Sequence, residues 1–223
     1  MYTRLVRWID DRLMVSPLWR DMADHPVPAH VNPSERVSAF VYCFGGVTFL
    51  LIIAQFITGM FLAMYYVPDI VNSYNSTKYL MHHVLFGLQL LSMHNWGSSL
   101  IIIMVTLHML RIYWMGVYKK PRELNWLVGV TLLILILAFG FTGYLLPWDE
   151  KAYFATQVGV SFAKYVPFIG PALQKILSGG NNIGAATLTR FFAIHVLFLP
   201  ALLIAFLGLH FLMIRRQGIT GPY

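Results

Sequence analysis

Apolar residues gather in four long runs, at 40–66, 86–118, 127–146 and 191–214, with very little charge inside any of them. A hydrocarbon core of about 30 Å takes about 20 helical residues to cross, so each run predicts a transmembrane helix. The second run is longer than a crossing requires, which predicts tilt or projection from the bilayer. Short connectors containing prolines join the first run to the second and the second to the third, and they predict antiparallel neighbours. Residues 149–190 form the one long connection, where Pro167, Gly170, Pro171, Gly179 and Gly180 predict short surface helices separated by turns. Ahead of the first run, Leu5, Trp8, Ile9, Leu13 and Met14 recur at helical spacing opposite Arg4, Arg7, Asp10, Asp11 and Arg12. That pattern fits a helix lying in the membrane interface, or a solvated helix packed on a partner subunit. The fold class expected is therefore all-α: one membrane domain, a bundle of four transmembrane helices with an N-terminal interfacial helix.

Composition agrees with this reading. Of 223 residues, 58% are hydrophobic and 11% charged, against about 25% charged in ordinary soluble chains. The net charge of +7 is read as topology rather than as a nucleic-acid surface. An even number of spans puts both termini and the connector around residue 120 on one side. That side carries Arg4, Arg7, Arg12, Arg20, Arg36, Arg111, Lys119, Lys120, Arg122, Arg215 and Arg216, leaving Lys78, Lys151, Lys164, Lys175 and Arg190 opposite. An excess of basic residues marks the cytoplasmic face, so both termini are expected there, in a plasma membrane. The charged N-terminus lacks the apolar core and small-residue site of a cleaved signal. Cys43 is the single cysteine, which excludes an internal disulfide and leaves a packing thiol or an attachment point.

Four histidines stand inside apolar runs: His94 and His108 in the second, His195 and His210 in the fourth. An ionisable side chain at membrane depth is costly and marks a site by default. Fourteen helical residues advance about 1400°, or 40° short of four turns, so His94 and His108 share a face about 21 Å apart. Fifteen residues advance about 1500°, or 60° past four turns, with a rise of about 22.5 Å. The two runs point the same way through the membrane, so His94 meets His195 at an outer level and His108 meets His210 at an inner one. A six-coordinate haem needs two axial imidazoles beyond its four porphyrin nitrogens, and the arrangement fits two haems. Zinc or non-haem iron would need three or four converging ligands, which histidines four turns apart cannot supply. His25, His30, His82 and His83 are read as interfacial residues, with proton handling as the other possibility.

Glycines repeat the register. Gly45 and Gly59 are 14 apart in the first run, as are Gly129 and Gly143 in the third. Residues without Cβ allow either close approach of a flat macrocycle or close helix packing in lipid; the shared spacing favours the macrocycle.

Taken in order, the runs PAHVN, YCFGG, KKPREL, FTGYLLPWD, TLTRFFAIH and IRRQGITGP make the chain resemble cytochrome b6, the short, split form of cytochrome b in quinol-oxidising complexes. The segment SPLWRD makes it more similar to the menaquinol:cytochrome c reductases of Gram-positive bacteria than to photosynthetic relatives. The resemblance implies that His94 and His195 hold an outer, lower-potential haem b and His108 and His210 an inner, higher-potential one. It also implies a further haem bonded covalently to Cys43, propionate contacts from Arg111 and Lys120, and an inner quinone pocket beside Asp21 and Arg215. Tyr144, Pro147 and Trp148 would form half of an outer quinol pocket, with menaquinol as the expected quinol. The acidic Pro-Glu-Trp-Tyr motif of that pocket is absent from this chain and would sit on a subunit IV-like partner. A Rieske iron-sulfur protein, a c-type cytochrome and a dimeric complex complete the implied partners.

One departure stands out. Asn95 follows the first histidine where members of the family it resembles often carry a basic residue, which leaves one outer-haem propionate contact of that pattern open. A di-haem membrane anchor of a dehydrogenase or hydrogenase is the alternative function, but it leaves YCFGG and LLPWD unexplained. A transporter would show inverted repeats or broken helices, and the sequence suggests neither.

Overall fold

The structure, a computed structural model, describes residues 42–218. These form α1 (Phe44–Ala63), α2 (Ser73–His83), α3 (Gly87–Trp114), α4 (Glu123–Tyr144), α5 (Glu150–Ala163), α6 (Gly170–Ser178) and α7 (Ala185–Ala193). A π-helical turn, Ile194–Phe198, then leads into α8 (Leu199–Gln217). Four helices are long and apolar enough to cross a membrane: α1, α3, α4 and the continuous Ala185–Gln217 segment. They coincide with the four runs, with ends displaced by a few residues. The expected N-terminal interfacial helix lies outside the described residues.

Helix ends follow local chemistry. Asp149 is extended and its Oδ1 accepts from the Ala152 amide at 2.8 Å, starting α5 on the expected surface stretch. Gly179 ends α6 with φ at +76°, a left-handed conformation that glycine adopts without a Cβ penalty. Between α1 and α3 the connector is not merely a loop, because residues 73–83 form α2 and carry His82 and His83 on a separate helix. Gly87 starts α3 hard against the Leu80 carbonyl, where any side chain would collide with backbone.

Two hairpin-like pairs make the bundle. α1 lies along α3, α4 lies along α8, and α3 touches α4. In lipid, helices gain little by hiding apolar surface from one another, so packing depends on fit. The best-buried fit is a layer of Ile52, Ile101, Val105, Val128, Leu132, Leu135, Ile136, Leu199 and Leu203. Ile52 lies midway between Gly45 and Gly59, Ile101 midway between His94 and His108, and Ile136 midway between Gly129 and Gly143. The bundle thus has a dry apolar plug with one histidine level on each side. Side chains such as Leu50, Ile57, Met60, Ile103 and Ile134 point outward and stay exposed, as lipid contact requires. At one end, Leu145, Val160, Leu188 and Phe191 form a second cluster that pins the surface helices to the end of α4.

The sequence predicts a regular helix through the fourth span, but the π turn interrupts it. Pro200 has no amide to bond Val196, four residues earlier, and its ring crowds that carbonyl. Widening the turn relieves both problems and accommodates one extra residue. The 100° mismatch between a 14-residue and a 15-residue histidine spacing is absorbed there. His195 therefore returns to the same seam as His210.

Candidate cofactor-binding site

At the first level, His94 from α3 and His195 from the π turn face each other with ring centroids 6.3 Å apart and planes at 73°. A metal-to-imidazole bond of about 2.0–2.1 Å, plus about 1.1 Å from nitrogen to ring centre, places two axial imidazoles about 6.3 Å apart. The ring separation therefore matches the width of one metal atom between two imidazoles. At the second level, His108 lies close enough to His210 for the two to interact electrostatically. All four rings are only partly buried although their helices are in the bundle.

Each ring is backed by one of the predicted glycines. A Cβ on Gly59 would stand 3.1 Å from His94 Cε1, one on Gly45 3.0 Å from His108, one on Gly143 2.6 Å from His195 and one on Gly129 3.8 Å from His210. At Gly45, Gly59 and Gly143 the absent side chain makes room for an imidazole, whereas at Gly129 a Cβ would meet His210 only at ordinary contact distance.

Two residues the sequence reading passed over complete the first level. Thr58 Oγ1 lies 2.9 Å from His94 Nδ1, and Thr142 Oγ1 lies 3.1 Å from His195 Nδ1. Each hydroxyl already gives its proton to a carbonyl four residues back, Ala54 or Ala138, at 2.8 Å. The oxygen is left as an acceptor, so the imidazole carries its proton on Nδ1 and keeps the lone pair on Nε2. A Thr-Gly dipeptide at 58–59 and again at 142–143 is the signal that could have exposed this pair.

Arg111 is 8% exposed, with its guanidinium 4.1 Å over the Tyr42 ring, Nε bonded to Met115 Sδ at 3.1 Å and Nη2 buried without a partner. A buried cation with an idle N–H calls for an anion. It lies near enough to His108 to act on it electrostatically, so a carboxylate-bearing ligand at the second level fits this donor. Lys120 is exposed in the turn before α4. Arg122, which the sequence reading did not single out, is buried and donates from Nη2 to the Gln217 carbonyl at 2.9 Å, tying α4 to the end of α8.

Tyr144 is exposed, and Pro147 and Trp148 are partly buried in the turn beyond α4. That turn is held by Tyr66, whose hydroxyl donates to the Leu146 carbonyl at 2.6 Å and whose ring stacks on Phe192 at 5.4 Å. Trp148 takes a left-handed φ of +52° and meets the Tyr153 ring edge-on at 5.8 Å. Cys43 is exposed at the start of α1, two positions before Gly45. Arg215 is partly buried near the end of α8. Asp21, its expected companion, lies outside the described residues, as do His25 and His30.

Four helices long and apolar enough to cross a membrane, carrying histidines at two levels, define a class: membrane-embedded bundles with paired internal histidines. The family Cytochrome b/b6/petB matches residues 26–218, and the chain belongs to the cytochrome b/b6 family. It is 58% identical over the full length of both chains to the menaquinol:cytochrome c reductase cytochrome b subunit of Geobacillus thermodenitrificans. The same subunit in Bacillus subtilis (strain 168) is 56% identical, again over the full length of both. Cytochrome b6 of Synechococcus sp. (strain JA-3-3Ab) is 41% identical over 99% of each chain. The higher identity to the menaquinol enzymes agrees with the reading of SPLWRD. Among solved structures, a chain of a hyperthermophilic respiratory Complex III superposes with a TM-score of 0.82 at 30% identity, covering 97% of this chain and 56% of that one.

Proposed function

We propose that this chain is the cytochrome b subunit of a menaquinol:cytochrome c reductase, the histidine-bearing core of a complex III-like assembly in the plasma membrane. The observation that carries the reading is the 6.3 Å separation of the His94 and His195 rings. His94 and His195 hold one haem b, and His108 and His210 hold the other. Bound there, the two groups supply one-electron carriers at two depths, connecting the membrane's faces.

The chain's own residues do the rest. Gly45, Gly59 and Gly143 leave room for the rings of His108, His94 and His195, and Gly129 backs that of His210. Arg111 receives a propionate at the second level, with Lys120 at the rim. The apolar layer around Ile52, Ile101 and Ile136 keeps water and protons out of the space between the levels. Tyr144, Pro147 and Trp148 form this chain's half of a quinol pocket at the first level, which faces outward when both termini are cytoplasmic. A subunit IV-like partner carrying Pro-Glu-Trp-Tyr supplies the other half. A Rieske iron-sulfur protein and a c-type cytochrome take the high-potential electron, and the complex is a dimer. Asp21 and Arg215 border the inner quinone site, and Cys43 bonds a third, covalent haem beside the second level.

A pyridine haemochrome assay on purified complex, before and after acid-acetone extraction, counts extractable and covalent haem. Two extractable haems per chain are expected, and one retained only while Cys43 is intact. His94→Ala and His210→Ala should each abolish one low-spin haem signal. An inserted, intact variant of either kind that keeps its full complement rules the scheme out.

A further inference from the structure

The two histidine levels are alike in ligand, glycine and backbone, yet they differ in one group. The Phe139 carbonyl faces His195 and the Asn125 carbonyl faces His210, and each stands four residues before the glycine that backs the ring. Carbonyls therefore do not separate the levels. Hydroxyls do. Among the described residues, threonine oxygens accept from His94 and His195 and no hydroxyl is bonded to His108 or His210. The sequence mirrors this, since the residue before the glycine is Thr58 or Thr142 at the first level and Phe44 or Val128 at the second. His210 Nδ1 is buried with no hydrogen-bond partner.

We infer that Thr58 and Thr142 are positioning residues that set the lower potential of the first level. The inference rests on the haem assignment above. An imidazole that donates its Nδ1 proton to a fixed acceptor becomes a more basic ligand through Nε2. More electron donation stabilises the oxidised iron more than the reduced, so the potential falls. At the second level no hydroxyl adds to what a backbone carbonyl can accept, and a buried Arg111 adds positive charge near His108, which favours the reduced form. Both differences act in one direction and place the higher potential on the Arg111 side. The hydroxyls are themselves fixed, because each is buried and already committed to its own helix carbonyl.

The test is a potentiometric titration of the α-bands in purified complexes carrying Thr58→Val, Thr142→Val and both. Valine keeps the shape and removes the acceptor. Each single variant is expected to raise the first-level potential, and the pair to move the oxidised-to-reduced ratio about tenfold, or 59 mV for a one-electron couple. Serine at either position should restore the original value. Thr48→Val removes a buried hydroxyl that bonds the Phe44 carbonyl and no histidine, and should leave the first-level potential where it was. A double variant with two haems b and an unmoved first-level potential overturns the inference, and so does a single valine variant that loses only that haem, since the hydroxyl would then support ligation. Wild-type complex without any α-band would instead overturn the haem assignment.

Discussion

Replacing Gly143 with alanine should damage the first level, while the equivalent change at Gly129 should be tolerated. A Cβ on Gly143 would stand 2.6 Å from His195 Cε1 and 3.2 Å from both ring nitrogens. Carbon–carbon contact is favourable at about 3.5–4.0 Å, so the ring must retreat by about 1 Å. It has little freedom to do so. Nδ1 is tied to Thr142 at 3.1 Å, and the Phe139 ring stands edge-on at 5.4 Å. Metal–ligand distances tolerate about 0.2 Å, so a retreat of that size unseats the ligand. Overpacking costs about 1–3 kcal/mol, against about 1 kcal/mol gained by alanine over glycine in a helix. The helix therefore survives and the local geometry yields. On Gly129 the same Cβ meets Met109 Sδ at 3.7 Å and His210 Cε1 at 3.8 Å, which is ordinary contact. Reduced-minus-oxidised spectra and haem counts on the two purified variants decide the matter. Gly143→Ala should lose or broaden the first-level band, and Gly129→Ala should keep both bands. Equal spectra from the two variants would refute the claim that these glycines are spaces for imidazoles.

Arg111→Gln should lower the second-level potential, because a buried positive charge beside His108 favours the reduced form; redox titration with an unmoved first level as internal control checks this. Tyr66→Phe removes the donor to the Leu146 carbonyl and should cost about 1 kcal/mol, slowing quinol oxidation in turnover assays while both α-bands stay intact. Asp149→Ala removes the α5 cap at a cost of about 1 kcal/mol, which proteolysis of the connection between the third and fourth spans should detect as faster cutting with unchanged haem content.

Much of this architecture could be read from residues alone, for definable reasons. A histidine among leucines and isoleucines stands out because burial at membrane depth is costly, and four of them at matching intervals specify facing pairs before any coordinates. Gly45, Gly59, Gly129 and Gly143 were legible by spacing. That each of them backs a histidine ring was not, since it depends on how the helices are rotated. Thr58 and Thr142 stayed hidden because a helical threonine ordinarily satisfies itself on the carbonyl four residues back, and these two do so as well. Only the third dimension shows the lone pair left over. α2 escaped notice because the stretch around His82 and His83 is too polar to resemble a span and too short to announce itself by period.

The wide turn at Ile194–Phe198 has a consequence for how such chains tolerate change in length. Deleting one residue between His195 and Leu199 removes the extra residue that the wide turn accommodates and should leave His195 and His210 on the same seam. The same deletion between His94 and His108 has no slack to draw on and would swing one imidazole about 100° out of line. Counting residues between ligands is thus informative only on the straight helix; on the other, fourteen and fifteen describe the same arrangement.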